Sequence, residues 1–373
     1  MSKLNISRLT NENEDGAPKI TGISTFSSTA FFEPPKGTTA QRPEFVQPGM
    51  IRFNTDGAHL EYYNGVEWTE VLVANNTLDG GARGLFGGGS PTPITLSNTI
   101  DYVTISTLGN AIDFGDLTDD RYGLGSCASQ SRALWGGGYA PGNSNVIDYV
   151  TISSTGNASD FGDLTVGRRS VGACSSNTRG LFGGGYGAPG ANLNTIDYIT
   201  IASIGNAVDF GDLLFTPTHT ASFSSSTRGL FGGGYTGPGT YTNSINYVTI
   251  STTGNALDFG DLLSQSDGVR ACSNSTRGLF GGGVSPGLTN VIQFITIAST
   301  GNAQDFGDLT IARGYGSACS SSTRGLWGGG TSPTIVNIID YVTILTTGNS
   351  IDFGDLFQAR TSFNACSNGH GGL

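Results

Sequence analysis

The chain has 373 residues, 59 of them glycine, and a formal net charge of -11. Glycine at that level requires either a fibrous repeat or many tight turns, and no collagen-like triplet period is present. The acidic balance argues against nucleic acid, because a phosphate-tracking surface needs clustered Lys and Arg.

No basic segment leads into an apolar run, and nowhere do about 18 apolar residues follow one another. The expectation is a soluble chain starting at its own Met1, with no membrane insertion. Residues 1–48 carry Pro34, Pro35, Pro43 and Pro48 among polar residues. They read as an extended arm. Residues 49–75 read as a small module of three short strands. Asn64-Gly65 supplies a type I′ turn, and Ile51, Phe53, Leu60, Tyr62, Trp68 and Val71 are placed in one small core.

Residues 76–373 are dominated by repetition. Arg-Gly-Leu-Phe-Gly-Gly-Gly starts at Arg83 and recurs, with small changes, from Arg132, Arg179, Arg228, Arg277 and Arg324, at intervals of 49, 47, 49, 49 and 47 residues. An Ile-Asp-Tyr-Val-Thr-Ile-like stretch follows each start. Next comes Gly-Asn-Ala-x-Asp-Phe-Gly-Asp-Leu, beginning at Gly109, Gly156, Gly205, Gly254, Gly301 and Gly348, and then a piece ending in Ala-Cys-Ser-Ser or a variant. Four short strands per unit is the size of one propeller blade. One unit buries too little apolar surface to offset the ordering of its backbone, so each must pack both faces on neighbours. The first unit lacks its Ala-Cys-Ser strand and the chain finishes with Ala365-Cys366-Ser367. A C-terminal strand, about Thr361 to Asn368, should therefore complete the first blade and close six blades.

This order of strands resembles the kelch repeat over residues 83–373, with Phe114, Phe161, Phe210, Phe259, Phe306 and Phe353 where kelch carries Trp in its fourth strand. The near-identical repeats are similar to those of structural proteins of cyanobacterium-infecting tailed phages. The Met50 to Val71 block is similar to a module of phage tail fibres and other virion proteins. The resemblance implies an all-β fold: a six-bladed kelch-like β-propeller of four-stranded blades, preceded by the small module and the arm. It also implies a virion protein assembled in the host cytoplasm, attached through the arm to other virion proteins. Its role would be a tail fibre or appendage that recognises host-surface glycan or protein. The alternative is an architectural neck, tail or capsid-decoration component without a ligand.

An enzyme is not expected. Every Glu and Lys lies before residue 71, which is taken to exclude paired Glu, Ser-His-Asp and Lys-based chemistry from the repeats. The twelve Asp residues of Asp-Phe-Gly-Asp, from Asp113 and Asp116 to Asp352 and Asp355, recur in every unit, whereas a catalytic site is one asymmetric constellation. They read as turn hydrogen-bonders and partners of the repeated Arg residues, with calcium as the weaker reading. Cys127, Cys174, Cys272, Cys319 and Cys366 share one repeat position and read as small buried hydrophobes. His59, His219 and His370 show no metal-ligand spacing, so neither metal nor cofactor is expected.

Binding is expected where the repeats differ. The loop between the second and third strands varies in length, and the connection before the Cys strand varies in sequence. Both emerge on the same face of an up-and-down blade. The candidate ligand-binding residues there are Tyr139, Tyr186, Tyr235, Tyr241, Tyr122, His219 and Tyr315.

Overall fold

A computed structural model describes residues 34–57, 59–71, 81–188, 190–284 and 286–373. The chain divides into two compact units, Met1–Asn75 and Asn76–Leu373. The described residues are all-β apart from one 3-10 turn, Thr39–Gln41.

In the smaller unit, Ile51–Asn54, His59–Tyr63 and Trp68–Glu70 form an antiparallel sheet, and Lys36–Gly37 adds a parallel strand to its edge. Part of the expected arm therefore belongs to the module, while residues 1–33 lie outside the described residues. The polarity of the module is the reverse of the expectation. Register pairs Ile51 with Tyr62 and Arg52 with Glu61, so Ile51, Phe53, Leu60 and Tyr62 fall on one face and Arg52, Glu61 and, against the expectation, Trp68 on the other. The covered face is the charged one. Glu61 is fully buried, with Arg42 Nη2 at 2.5 Å, Arg52 Nε at 3.6 Å and a hydrogen bond from Asn54, whereas Ile51 is 53% exposed and Tyr62 37%. The Arg42 guanidinium holds the Glu61 carboxyl below its usual range against the opposing effect of burial. The turn also differs. Tyr63 pairs with Trp68, leaving Asn64 to Glu67 as a four-residue loop in which Asn64 Oδ1 accepts from the amides of Val66 and Glu67.

In the larger unit each repeat yields one four-stranded antiparallel sheet, and there are six. The second of them consists of Gly125–Ala128, Arg132–Gly136, Val146–Thr151 and Ser159–Asp163. All six share a bulge between the third and fourth strands: Ile147 faces Gly162 and Asp148 faces Asp160, leaving Phe161 as the extra residue. The glycine of Phe-Gly-Asp is needed twice over. At Gly162 φ is +144°, and an added Cβ would lie 2.6 Å from the Gly205 carbonyl of the next sheet. The first sheet takes its missing strand from the C-terminus, with Asn364 opposite Gly87 and Ser367 opposite Gly84.

Hydrophobic cores lie between sheets rather than within them. Leu85, Ile100 and Phe114 of the first sheet pack with Trp135, Val150 and Ile152 of the second. An equivalent cluster joins Phe86, Val103 and Ile105 of the first sheet to Leu326, Ile339 and Phe353 of the sixth. The first strands of the sheets contact one another in chain order, and Asn364–Ser367 contacts both Ser317–Ser320 and Gly125–Ala128, so the neighbour relations form a cycle.

The same polar contacts recur at each junction. Gly156 and Ala158 donate their amides to the Phe114 and Asp116 carbonyls of the preceding sheet, and Asn157 Oδ1 accepts from the Asp116 amide. Gly109, Ala111 and Asn110 make the same three bonds to Phe353 and Asp355. These bonds cover the outer edge of each sheet. The Arg that opens each second strand also reaches forward one sheet: Arg83 Nη1 bonds the Ile152 carbonyl at 2.7 Å and stacks on Tyr102 at 4.9 Å, and Arg324 bonds Ile105 and stacks on Tyr341.

The expected pairing of these Arg residues with the Asp-Phe-Gly-Asp carboxylates is therefore corrected. Among the described residues those carboxylates form no ion pair, and no group of three His, Cys, Asp or Glu could hold a metal. The paired carboxylate is instead the Asp of Ile-Asp-Tyr, and its partner is a buried Arg six residues before the Cys. Arg121 meets Asp148 at 2.6 Å, Arg168 meets Asp197 at 3.1 Å, Arg313 meets Asp340 at 2.8 Å, and Arg360 meets Asp101 at 3.0 Å. In the fourth and fifth sheets both partners are replaced together, by Pro217 with Asn246 and by Ser266 with Gln293.

Candidate functional site

The first strands place small residues around a narrow axial cavity of about 50 Å³, lined by Ser126, Ala173, Ser222, Ser175, Ser273 and their counterparts. The five cysteines are free and buried. Their neighbours explain why: an added Cβ at Gly180 would meet Cys127 Sγ, and one at Gly229 would meet Cys174 Sγ, so four of the thiols, Cys127, Cys174, Cys272 and Cys319, fill the space left by a glycine of the next sheet. Burial pushes the Cys174 and Cys366 thiols up to about 12.

One end of this cavity is closed by the C-terminal tail. Serine hydroxyls step from sheet to sheet, Ser175 to the Ala128 carbonyl, Ser224 to Ser175, Ser273 to Ser224, Ser320 to Ser273 and Ser367 to Ser320. The second sheet has Ala128 at this position. His370 lies there, its Nε2 2.9 Å from the Ala128 carbonyl, while Nδ1 accepts from the Gly372 amide and the Gly371 amide donates to Ser273. A carbonyl needs a donor and an amide needs an acceptor, so this geometry selects the neutral Nε2–H tautomer. Burial accordingly lowers the affinity of His370 for a second proton.

The other end opens among the variable loops. At the same position in all six repeats, Gly123, Ser170, His219, Gly268, Tyr315 and Ser362 are left-handed, with φ between 56° and 72°. Four are not glycine, and such backbone strain collects at functional sites. Their amides bond in succession around the opening: Ser170 to Gly123, His219 to Ser170, Tyr315 to Gly268, Ser362 to Tyr315 and Gly123 to Ser362. Between His219 and Gly268 the succession is interrupted, because the Gly268 amide turns to Asp267 Oδ1 at 2.8 Å.

That interruption holds an asymmetric cluster of the larger unit. His219 Nδ1 lies 3.2 Å from Asp267 Oδ1, the Tyr315 hydroxyl donates to Asp267 Oδ2 at 2.7 Å, and the His219 and Tyr315 rings meet edge to face at 5.4 Å. Despite its burial, Asp267 is held below the usual carboxylate range by His219 and Tyr315, and burial together with the Asp267 charge pushes the Tyr315 hydroxyl up. The absence of Glu and Lys thus does not remove every acid-base pair from the repeats, since His219 and Asp267 make one.

The remaining candidates form two further groups. Tyr122 packs on Tyr139 at 5.5 Å, and Arg169 lies 5.1 Å from the Tyr139 ring and 4.8 Å from the Tyr186 ring, so three tyrosines and one cation form a continuous stack. Tyr235 meets Tyr241 at 6.1 Å where the fourth sheet extends into a hairpin of two ten-residue strands, Arg228–Gly237 and Thr240–Thr249. All seven candidates are half-buried rather than free at loop tips. Arg169, Asp267, Arg270 and Ser126 were not anticipated. Arg270 carried a readable signal, since the other repeats have Gly125, Gly172, Ala221, Ser317 and Asn364 at its position.

No protein-family model matches the chain, and no curated protein is significantly similar to it.

Proposed function

We propose that Asn76–Leu373 is a closed, six-bladed, kelch-like propeller in a structural protein of a tailed-phage virion, of tail-fibre or appendage type. It recognises host-surface glycan or protein with its variable end and catalyses nothing. One observation carries this reading: the junction bonds repeat from sheet to sheet, while the non-repeated tyrosines, the left-handed non-glycine residues and the asymmetric His219, Asp267 and Tyr315 cluster of the larger unit gather at a single end. A scaffold kept uniform for rigidity and varied at one end suits display, because loops change without disturbing the packed sheets beneath them. Aromatic rings with polar tips suit sugars and protein surfaces alike. The N-terminal arm serves attachment to other virion proteins.

The test is binding of the full chain to susceptible host cells and their surface polysaccharide. Saturable binding without release of reducing sugar is expected, and Tyr139→Ala with Tyr186→Ala and Tyr235→Ala should weaken it while the protein still melts cooperatively. No binding to any susceptible host would favour the architectural alternative, and release of reducing sugar would overturn the non-catalytic reading.

A further inference from the structure

The chemistry of the opening is more specific than a general aromatic surface. A cavity of about 40 Å³ at the variable end is lined by Tyr122, Ser126, Ser170, His219, Arg270 and Ser362, among others. Arg270 spends Nε on the Gly316 carbonyl at 2.7 Å and Nη1 on the Val269 carbonyl at 3.0 Å. Nη2 makes no hydrogen bond or ion pair within the described residues. The nearby Asp267 carboxylate does not consume it, because Asp267 already accepts from the Gly268 amide and the Tyr315 hydroxyl, with His219 Nδ1 3.2 Å away. Deeper in, Ser126 Oγ lies beside the Cys366 thiol and is buried without an oxygen or nitrogen partner among the described residues, in a side chain only 5% exposed. An orphaned buried hydroxyl calls for a water or a ligand group to complete it. With the tail closing the far end, the opening is a blind pocket. It holds one or two waters, or a group the size of a carboxylate.

Resting on the recognition role proposed above, we infer that this pocket binds a single carboxylate carried by an acidic sugar of an otherwise neutral host glycan. Arg270 Nη2 supplies the charge-assisted donor, Ser126 Oγ completes the inner contact, and Asp267 positions His219 and Tyr315 at the rim. The remaining charge excludes a polyanion. Asp119 and Asp120 lie in the segment leading to Tyr122, and the chain carries a net charge of -11. The Arg270 guanidinium, whose charge Asp267 already offsets in part, takes one isolated carboxylate through a charge-assisted hydrogen bond, whereas a polyanion adds repulsion from the acidic chain.

The test is calorimetric titration of the full chain with an otherwise neutral oligosaccharide ending in glucuronate, beside the same oligosaccharide with its carboxyl reduced to the alcohol. Wild type should bind the acid at least about tenfold more tightly than the alcohol. Arg270→Gln should abolish that preference and Arg270→Lys should keep part of it, with the melting temperature of each variant confirming its fold. Sodium acetate should compete weakly, which separates the carboxylate from the sugar that carries it. Equal binding of acid and alcohol by wild type, or an undiminished preference in Arg270→Gln, overturns the inference. Failure to bind either oligosaccharide also overturns it, while the recognition role is judged separately by binding to whole host polysaccharide.

Discussion

The fourth and fifth sheets differ from the other four in what they bury. Sheets one, two, three and six each hold an Arg–Asp pair with both side chains almost wholly inaccessible, whereas sheets four and five put Pro217 with Asn246 and Ser266 with Gln293 at those places. Charge has been removed in pairs. Removing one partner alone would strand the other, while replacing both is far less costly. A neighbouring position changes as well. Thr118, Thr165 and Thr310 donate to Asp148, Asp197 and Asp340, but Leu214 and Leu263 stand beside Asn246 and Gln293 and offer only their amides. The segments that lost the buried Arg are the ones that carry His219, Asp267 and Arg270. The first sheet is intermediate, since Asp101 has Arg360 but Phe357 in place of Thr, and Asp101 Oδ1 is left without a partner.

This contrast can be broken most severely at the first sheet, which borrows both a strand and its buried cation from the C-terminus. Truncation after Gln358 removes Arg360 and Asn364–Ser367 together. The expected outcome is loss of a cooperative melting transition, and a truncated chain that melts like the full one would show that the C-terminal strand is dispensable.

A milder break separates charge from packing. Arg313→Ser alone should cost about 3 to 5 kcal/mol, because Asp340 is then buried without compensation. Adding Asp340→Gln copies the fifth sheet and should recover much of that loss, as read from denaturant midpoints at unchanged slope. A double variant less stable than the single would mean that the ion pair is not the reason the two positions change together.

The smallest effect concerns the tail. Burial depresses the folded-state proton affinity of His370, so the unfolded chain binds the proton more readily. The stability His370 contributes is present above its ordinary value of 6.5 and is lost as pH falls from there through the lower folded-state value. Amide exchange at Gly371 and Gly372 should therefore accelerate below pH 6.5 in wild type, beyond the change in intrinsic rate, and lose that extra acceleration in His370→Ala.

Much of the larger unit was readable because its period is nearly constant. The four pieces per repeat became four strands, and the split first unit led to the pairing of Asn364–Ser367 with Arg83–Gly87. The charges were assigned wrongly for a physical reason. Both Asp-Phe-Gly-Asp and Ile-Asp-Tyr recur, and periodicity cannot tell an Asp on an exposed strand from one whose side chain enters a sheet. In the smaller unit, alternation correctly separated Ile51 and Tyr62 from Arg52 and Glu61, but it does not say which face will be covered. Arg42, from a segment read as a loose arm, settled that by reaching Glu61. The candidate tyrosines were found through differences between repeats. The same comparison, applied to the first strand, would have found Arg270.

The central claim is that recognition belongs to one end of the six sheets. Hydrogen–deuterium exchange on the full chain, with and without host polysaccharide, tests it most directly. Protection should appear at Tyr122 to Gly123, Tyr139, Tyr186, Thr218 to His219, Tyr235 to Tyr241, Asp267 to Arg270 and Tyr315. The turns at the opposite end, such as Ser129 to Ser131 and Ser225 to Thr227, should exchange as before. Protection confined to those turns, or spread evenly over both ends, would contradict the account.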